Sequence, residues 1–405
     1  MPQDQDNDLA SNKVLMFSFI VATAGLLTYG GLTAYNAWKN SAPATTLMAT
    51  LPRYGFSSAA QQDALIYLMQ QSGIETDQLL NQKVYNHIEL AEKILEFVRL
   101  TQANFTIRTG KQERWDVQPQ DWMKNPAEQD KILAALEALK MFAAVTPGFT
   151  ERDATVILGA RKSAMVDRLK YAADLYISNK LPTKWLVLLA GERYVTFDKD
   201  GVSIDGTEQE LLKLSSDLQK DIKSLTETDL MRMAYKDSGL FDKLPTEIID
   251  TPKGDLPRPT TETTVIALCD WLRNHPEIKR LTFVSNQPHV QYQKAIIGQV
   301  FKQQNTNEVD LEAERELIAR VFKQQKIDVE FEVIGPAAKE TASKETKIKD
   351  GIGALGSQLW AQTPGVFDDL GIDTCNPSLR DQLTELFKKQ PLIYNNLVNK
   401  CTPKM

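Results

Sequence analysis

Histidine and cysteine are scarce, with only three of each in 405 residues. His87, His275 and His289 have no His or Cys partner four residues on, so the helical zinc pattern is excluded. No GxSxG elbow occurs, which removes the commonest signature of a serine nucleophile. Basic excess is missing too: 47 Lys and Arg stand against 53 Asp and Glu, for a net charge of −6. A nucleic-acid binder needs a basic face to displace counterions, and none is visible. Intact nucleotide motifs are also lacking. Gly351–Gly356 (GIGALG) matches GxGxxG by letter, but Lys347-Ile348-Lys349-Asp350 precede it where the phosphate-cradling mechanism needs a strand. Gly159-Ala160-Arg161-Lys162-Ser163 evokes a P-loop without its second glycine. The cofactor therefore stays unknown.

Long hydrophobic runs are absent apart from one. Val14 to Trp38 carries no charge and is flanked by Lys13 and Lys39. At about 1.5 Å per residue such a run crosses a hydrocarbon core of about 30 Å, so a transmembrane helix is expected over 14–38. The rival is a cleaved signal peptide, since Ala42-Pro43-Ala44 loosely resembles a cleavage site. The length of the run and the acidic residues Asp4, Asp6 and Asp8 before it favour a retained anchor. Counting positive charges on the two sides gives almost a tie for orientation. Cys375 and Cys401 flank two short helical segments that, as a hairpin, would return both thiols to one end. Either a disulfide or two unrelated thiols fits that spacing.

Residues 1–13 form an N-terminal tail, and 39–147 read as a membrane-proximal, mainly helical region, with an apolar stripe over Ile88, Ala91, Ile94, Leu95 and Val98. From Asp153 the pattern changes in kind. Short aliphatic runs alternate with helical stretches: ATVILG, WLVLLAG, TEIID, LTFVSN and DVEFEVIG. Parallel neighbours need crossover helices, so this alternation predicts a three-layer α/β domain with a five-stranded, mostly parallel sheet over 148–336. Residues 337–350 have little to bury and read as a linker, and 351–405 as a C-terminal helical tail.

Open parallel sheets keep their ligand sites at the carboxyl ends of the strands. Four successive strand ends here carry charged or amide groups while the strands are nearly pure aliphatic. The first end offers Gly159, Arg161, Lys162 and Ser163 at a helix start, where backbone N–H groups and cations would converge on an anion. Glu192 and Arg193 follow the second strand and Asp250 ends the third. Arg258, Thr260 and Thr261 open the next helix, with Thr260 or Thr261 as its N-cap. The fourth end is the densest: Ser285, Asn286, Gln287, His289 and Tyr292, with Pro288 suited to the first turn of the helix that follows.

This order of signals resembles the envelope-protein family that includes SanA, ElyC and YdcF, over about 153–335. ATVILGA, followed by a helix with Arg168 and Tyr171-Ala172-Ala173, is similar to the family's V-L-G strand and helix. Leu188-Leu189-Ala190-Gly191-Glu192 is similar to its SGG turn, Thr260-Thr261-Glu262-Thr263 to its T-x-E-N, and Val284 to His289 to its V-T-S-x-x-H. An alanine stands in the SGG-like turn, Thr263 replaces asparagine, and Tyr292 stands where the family has arginine. The resemblance implies a Rossmann-like fold, a strand-end pocket, and an anchored envelope location with the domain on the non-cytoplasmic face.

The expectation from sequence is thus a single-pass protein of a bacterial inner membrane with a periplasmic α/β domain. Its site would take a small anionic or phosphorylated ligand through Arg161, Lys162, Arg193 and Arg258, with His289 and Glu192 for any acid/base step. Whether it is an enzyme stays open. The alternative is a non-catalytic scaffold that assembles envelope protein partners.

Overall fold

The computed structural model describes residues 45–105, 119–197, 201–239, 244–254, 256, 258–305 and 327–387. A 3-10 segment, Met48–Tyr54, leads into helices α1 (Ala59–Gln71), α2 (Thr76–Asn81), α3 (His87–Phe105), α4 (Asp121–Lys124) and α5 (Pro126–Ala138). The alternating part follows as β1 (Ala154–Leu158), α6 (Lys162–Ile177), β2 (Trp185–Gly191), α7 (Glu208–Leu218), α8 (Glu227–Ser238) and β3 (Thr246–Thr251). It continues through α9 (Thr261–Arg273), β4 (Arg280–Val284), α10 (Val290–Asn305) and β5 (Glu330–Ile334). Helices α11 (Lys344–Asp369) and α12 (Pro377–Phe387) complete the described chain.

The five strands form one sheet in the order β3-β2-β1-β4-β5, and every neighbouring pair is parallel. All five residues of β1 are buried, because a central parallel strand is covered on both faces and must be apolar throughout. Side chains alternate across it. Ile157, Leu188 and Val284 pack under α6 and α8 with Leu169 and Leu230. Val156, Leu158 and Phe283 pack on the other side with Leu268 of α9 and Ile297 of α10. The chain winds outward from β1 to β3 and then returns to place β4 on the opposite side of β1. That reversal opens a crevice between the carboxyl ends of β1 and β4, the position where doubly wound sheets receive ligands.

A third apolar cluster joins the helices that precede the sheet domain in sequence to those that follow it. Leu65, Ile94 and Leu136 from the first helices pack with Ile352, Leu359 and Phe367 of α11, and Ile296 of α10 links this cluster to the sheet domain. Residues 344–350, within the stretch read as a linker, are the opening turns of α11. The GIGALG letters lie inside that same helix. A Cβ built on Gly351 would stand 2.8 Å from Leu136 Cδ1, so this glycine lets α11 approach α5 closely rather than cradling a phosphate.

The membrane expectation is corrected. Among the described residues no helix is long and apolar enough to cross a membrane. The run 14–38 on which the anchor was read lies outside the described residues. A single-pass inner-membrane topology and a periplasmic placement consequently have no structural support. Cys375 is disulfide-bonded, Cys269 is free and buried, and Cys401 lies outside the described residues.

Candidate functional site

The crevice at the β1–β4 switch is a cleft of about 560 Å³. Leu158, Gly159 and Ala160 form its floor at the end of β1, and Asn286 borders it after β4. Arg161 and Ser163 stand at the start of α6, Arg258 to Thr261 at the start of α9, and His289 and Tyr292 at the start of α10. Thr346, Lys349 and Asp350 of α11 close the rim, so the C-terminal helix is part of the site.

Glu227, at the first position of α8, is the residue that sequence reasoning missed. Its side chain is 12 % exposed, and Arg193 Nε lies 3.1 Å from its Oε2. The backbone closes the same pair, since Glu227 N–H donates to the Arg193 carbonyl at 2.8 Å. Asp205, itself buried, accepts from Arg193 Nη2 at 3.1 Å and from the Thr196 N–H at 2.8 Å, which fixes the guanidinium. Burial pushes the Glu227 carboxyl up from its ordinary 4.5 to about 7, although Arg193, Arg168 and Arg258 pull it down. The carboxyl also lies against the end of β1. A Cβ on Gly159 would stand 2.0 Å from Glu227 Oε1 and 3.1 Å from Ala190 Cα, so glycine is what admits the carboxyl. Gly159→Ala is therefore expected to displace it and lower any turnover by about 100-fold, as small misplacements of a reacting group do. Steady-state kinetics beside a thermal melt checks this, and unchanged kinetics would refute the assignment.

Arg168 holds the floor together. This buried side chain of α6 donates from Nη1 to the carbonyls of Leu158 (2.6 Å) and Gly159 (2.8 Å). Its Nε and Nη2 reach Asn286 Oδ1 at 3.0 and 2.5 Å, tying the ends of β1 and β4. A second carboxyl, Glu262, faces the cleft from the first turn of α9, and burial raises it to about 7. Ahead of it Thr260 caps α9: its Oγ1 accepts from the Thr263 N–H and Thr263 Oγ1 accepts in return from the Thr260 N–H. Thr260→Ala should cost about 1 kcal/mol in chemical denaturation, the usual worth of an N-cap.

Several expected site residues are elsewhere. Lys162 pairs with Glu210 of α7, outside the cleft, and holds that carboxyl at about 2. Glu192 is not in the lining; its carboxylate accepts from Tyr194 Oη at 2.9 Å and from the Lys253 N–H at 3.2 Å, which lower it from its ordinary value. The expected His289–Glu192 pair is thus not assembled. Asp250 accepts from Thr228 Oγ1 at 2.6 Å on the sheet edge. Ser285 is fully buried under its own loop. Gln287 donates to the carbonyls of Lys140 and Ala143, fastening the β4 turn to the N-terminal helices. Pro288 follows a cis bond in the turn before α10 rather than opening that helix.

These placements correct the anion expectation. Lys162 and Arg193, two of its cations, are committed to Glu210 and to Asp205 with Glu227. Comparison with family models, curated proteins and solved structures gives no match for this chain. The anionic ligand had leaned on those cations, the envelope role on the anchor and on the SanA, ElyC and YdcF resemblance, and the envelope scaffold on the departures from that family, and none is carried forward.

Proposed function

We propose that the chain is an enzyme whose β1–β4 cleft binds a small polar molecule, with Glu227 as the general base that accepts a proton from it. The observation that carries this reading is the Glu227 carboxyl, which lines the cleft, lies against Gly159 at the end of β1 and is paired with Arg193. A base whose pKa lies near the working pH combines adequate basicity with adequate ionisation. Arg193, with Nε 3.1 Å from one carboxylate oxygen, stabilises by its charge the ionised form that accepts the proton. Asp205 keeps that guanidinium in place. His289 lines the same cleft. Kinship with the SanA, ElyC and YdcF proteins is not needed for this reading, which stands on the geometry of the cleft alone.

The test is a turnover screen of small polar metabolites followed by a pH profile. Activity that depends on Glu227 and rises with an apparent pKa near 7 is the expected result. A profile unchanged by Glu227→Gln would sink the reading.

A further inference from the structure

The cleft contains two acceptor oxygens with nothing to accept from. Glu262 Oε1 and Gln293 Oε1 are both shut off from solvent without a hydrogen-bond partner, and both residues line the cleft. Gln293, on α10, is 8 % exposed, and Glu262, on α9, is partly buried. Leaving a buried acceptor unmade costs about 1–3 kcal/mol, so two in one cavity indicate that a bound molecule supplies the hydrogens. Glu262 presents oxygen whichever way its carboxyl turns.

We infer that the cleft recognises a neutral, polyhydroxylated small molecule, whose hydroxyl groups donate to Glu262 and Gln293. Ammonium groups also donate, but the lining carries five Lys and Arg residues against three Asp and Glu, an excess of positive charge that repels a cation. Hydroxyls carry no charge, and each can accept from a guanidinium while donating to a carboxylate. Thr261, also in the lining, adds a polar contact of the same kind. The inference rests on the reading of the cleft as a small-molecule site and identifies the chemistry of its substrate.

The test is saturation-transfer-difference NMR on the full chain with D-ribose, D-glucose and myo-inositol, each beside its fully O-methylated counterpart. Methylation removes the donors and keeps the acceptors. At least one polyol is expected to give signals that its methylated form does not. Its affinity should fall about tenfold in Glu262→Gln and in Gln293→Met, the equivalent of one lost hydrogen bond. The methylated comparison on the unaltered protein decides the matter even if a variant fails to fold. Absence of binding by every polyol, equal binding of the methylated forms, or affinity unchanged in folded variants would overturn the inference. The two readings fail separately. Polyol binding with this dependence but without turnover removes the role of Glu227 and leaves the recognition standing. Glu227-dependent turnover of compounds that lack hydroxyls, with no polyol bound, does the reverse.

Discussion

Glu227→Gln should lower turnover by about 10²–10⁴-fold, the usual contribution of a positioned general base, while leaving a folded protein. Glutamine keeps the shape that fits against Gly159 and can still contact Arg193, so the cleft is preserved while the proton acceptor is lost. The pH dependence supplies a second readout. Burial raises the carboxyl from 4.5 to about 7, so between these values the native chain holds a proton that the unfolded chain has released. Stability from this group is therefore full below about pH 4.5 and is lost as pH rises through about 7. For a side chain 12 % exposed the whole effect is about 3 kcal/mol. Urea denaturation at pH 5 and pH 8 should show that Glu227→Gln flattens this fall. Glu262, also raised to about 7, adds a slope of the same sign that the variant retains. An unchanged pH dependence in the variant would show that Glu227 titrates as an ordinary surface carboxylate.

The sheet was readable from sequence because its strands are buried on both faces. ATVIL and WLVLLAG leave no polar position to be misread, and the helices between them must cross over, so strand count and direction follow from alternation. Strand order did not follow. Nothing local to LTFVS says that it lies beside β1 rather than beyond β3, yet that choice creates the crevice. The site was half legible for the same reason. Residues at strand ends, such as Arg161, Arg258, Asn286 and His289, line the cleft because topology places every carboxyl end on one edge. Glu227 escaped notice because it opens a helix in the long connection between β2 and β3, in a Thr-Glu-Thr-Asp run that looks like an ordinary capping sequence. Its capping is real: Thr226 Oγ1 accepts from the Asp229 N–H, and that same turn aims the next side chain inward. One available signal was Gly159, since a glycine at the end of a buried strand marks a close approach. Lys162 and Glu192 were misassigned because a sequence shows a charge without showing its partner. Glu210 and Tyr194 had already claimed them.

Arg168→Met should be the most destabilising single change at the cleft, by about 4 kcal/mol, as expected when one member of a buried, hydrogen-bonded ionic network is removed. Methionine fills much of the volume but donates nothing. The carbonyls of Leu158 and Gly159 and the amide oxygen of Asn286 would then lose their shared donor where water enters poorly. The loss falls on the joint between β1 and β4, so the switch point should loosen before the outer strands do. Amide exchange at 157–160 and 284–287 should accelerate more than at 246–251. Arg168→Lys should recover only part of the stability, because an ammonium cannot span two carbonyls and an amide with the fixed fork of a guanidinium. The same substitution removes one of the charges that hold the Glu227 carboxyl down, so that group should titrate still higher in Arg168→Met, measurable by ¹³C NMR of labelled glutamate. A loss below about 1 kcal/mol together with an unmoved Glu227 titration would mean that the floor is held by strand pairing alone. The combined result, a large loss with an upward shift, would tie the integrity of the sheet at its switch point to the ionisation of the base that the cleft presents.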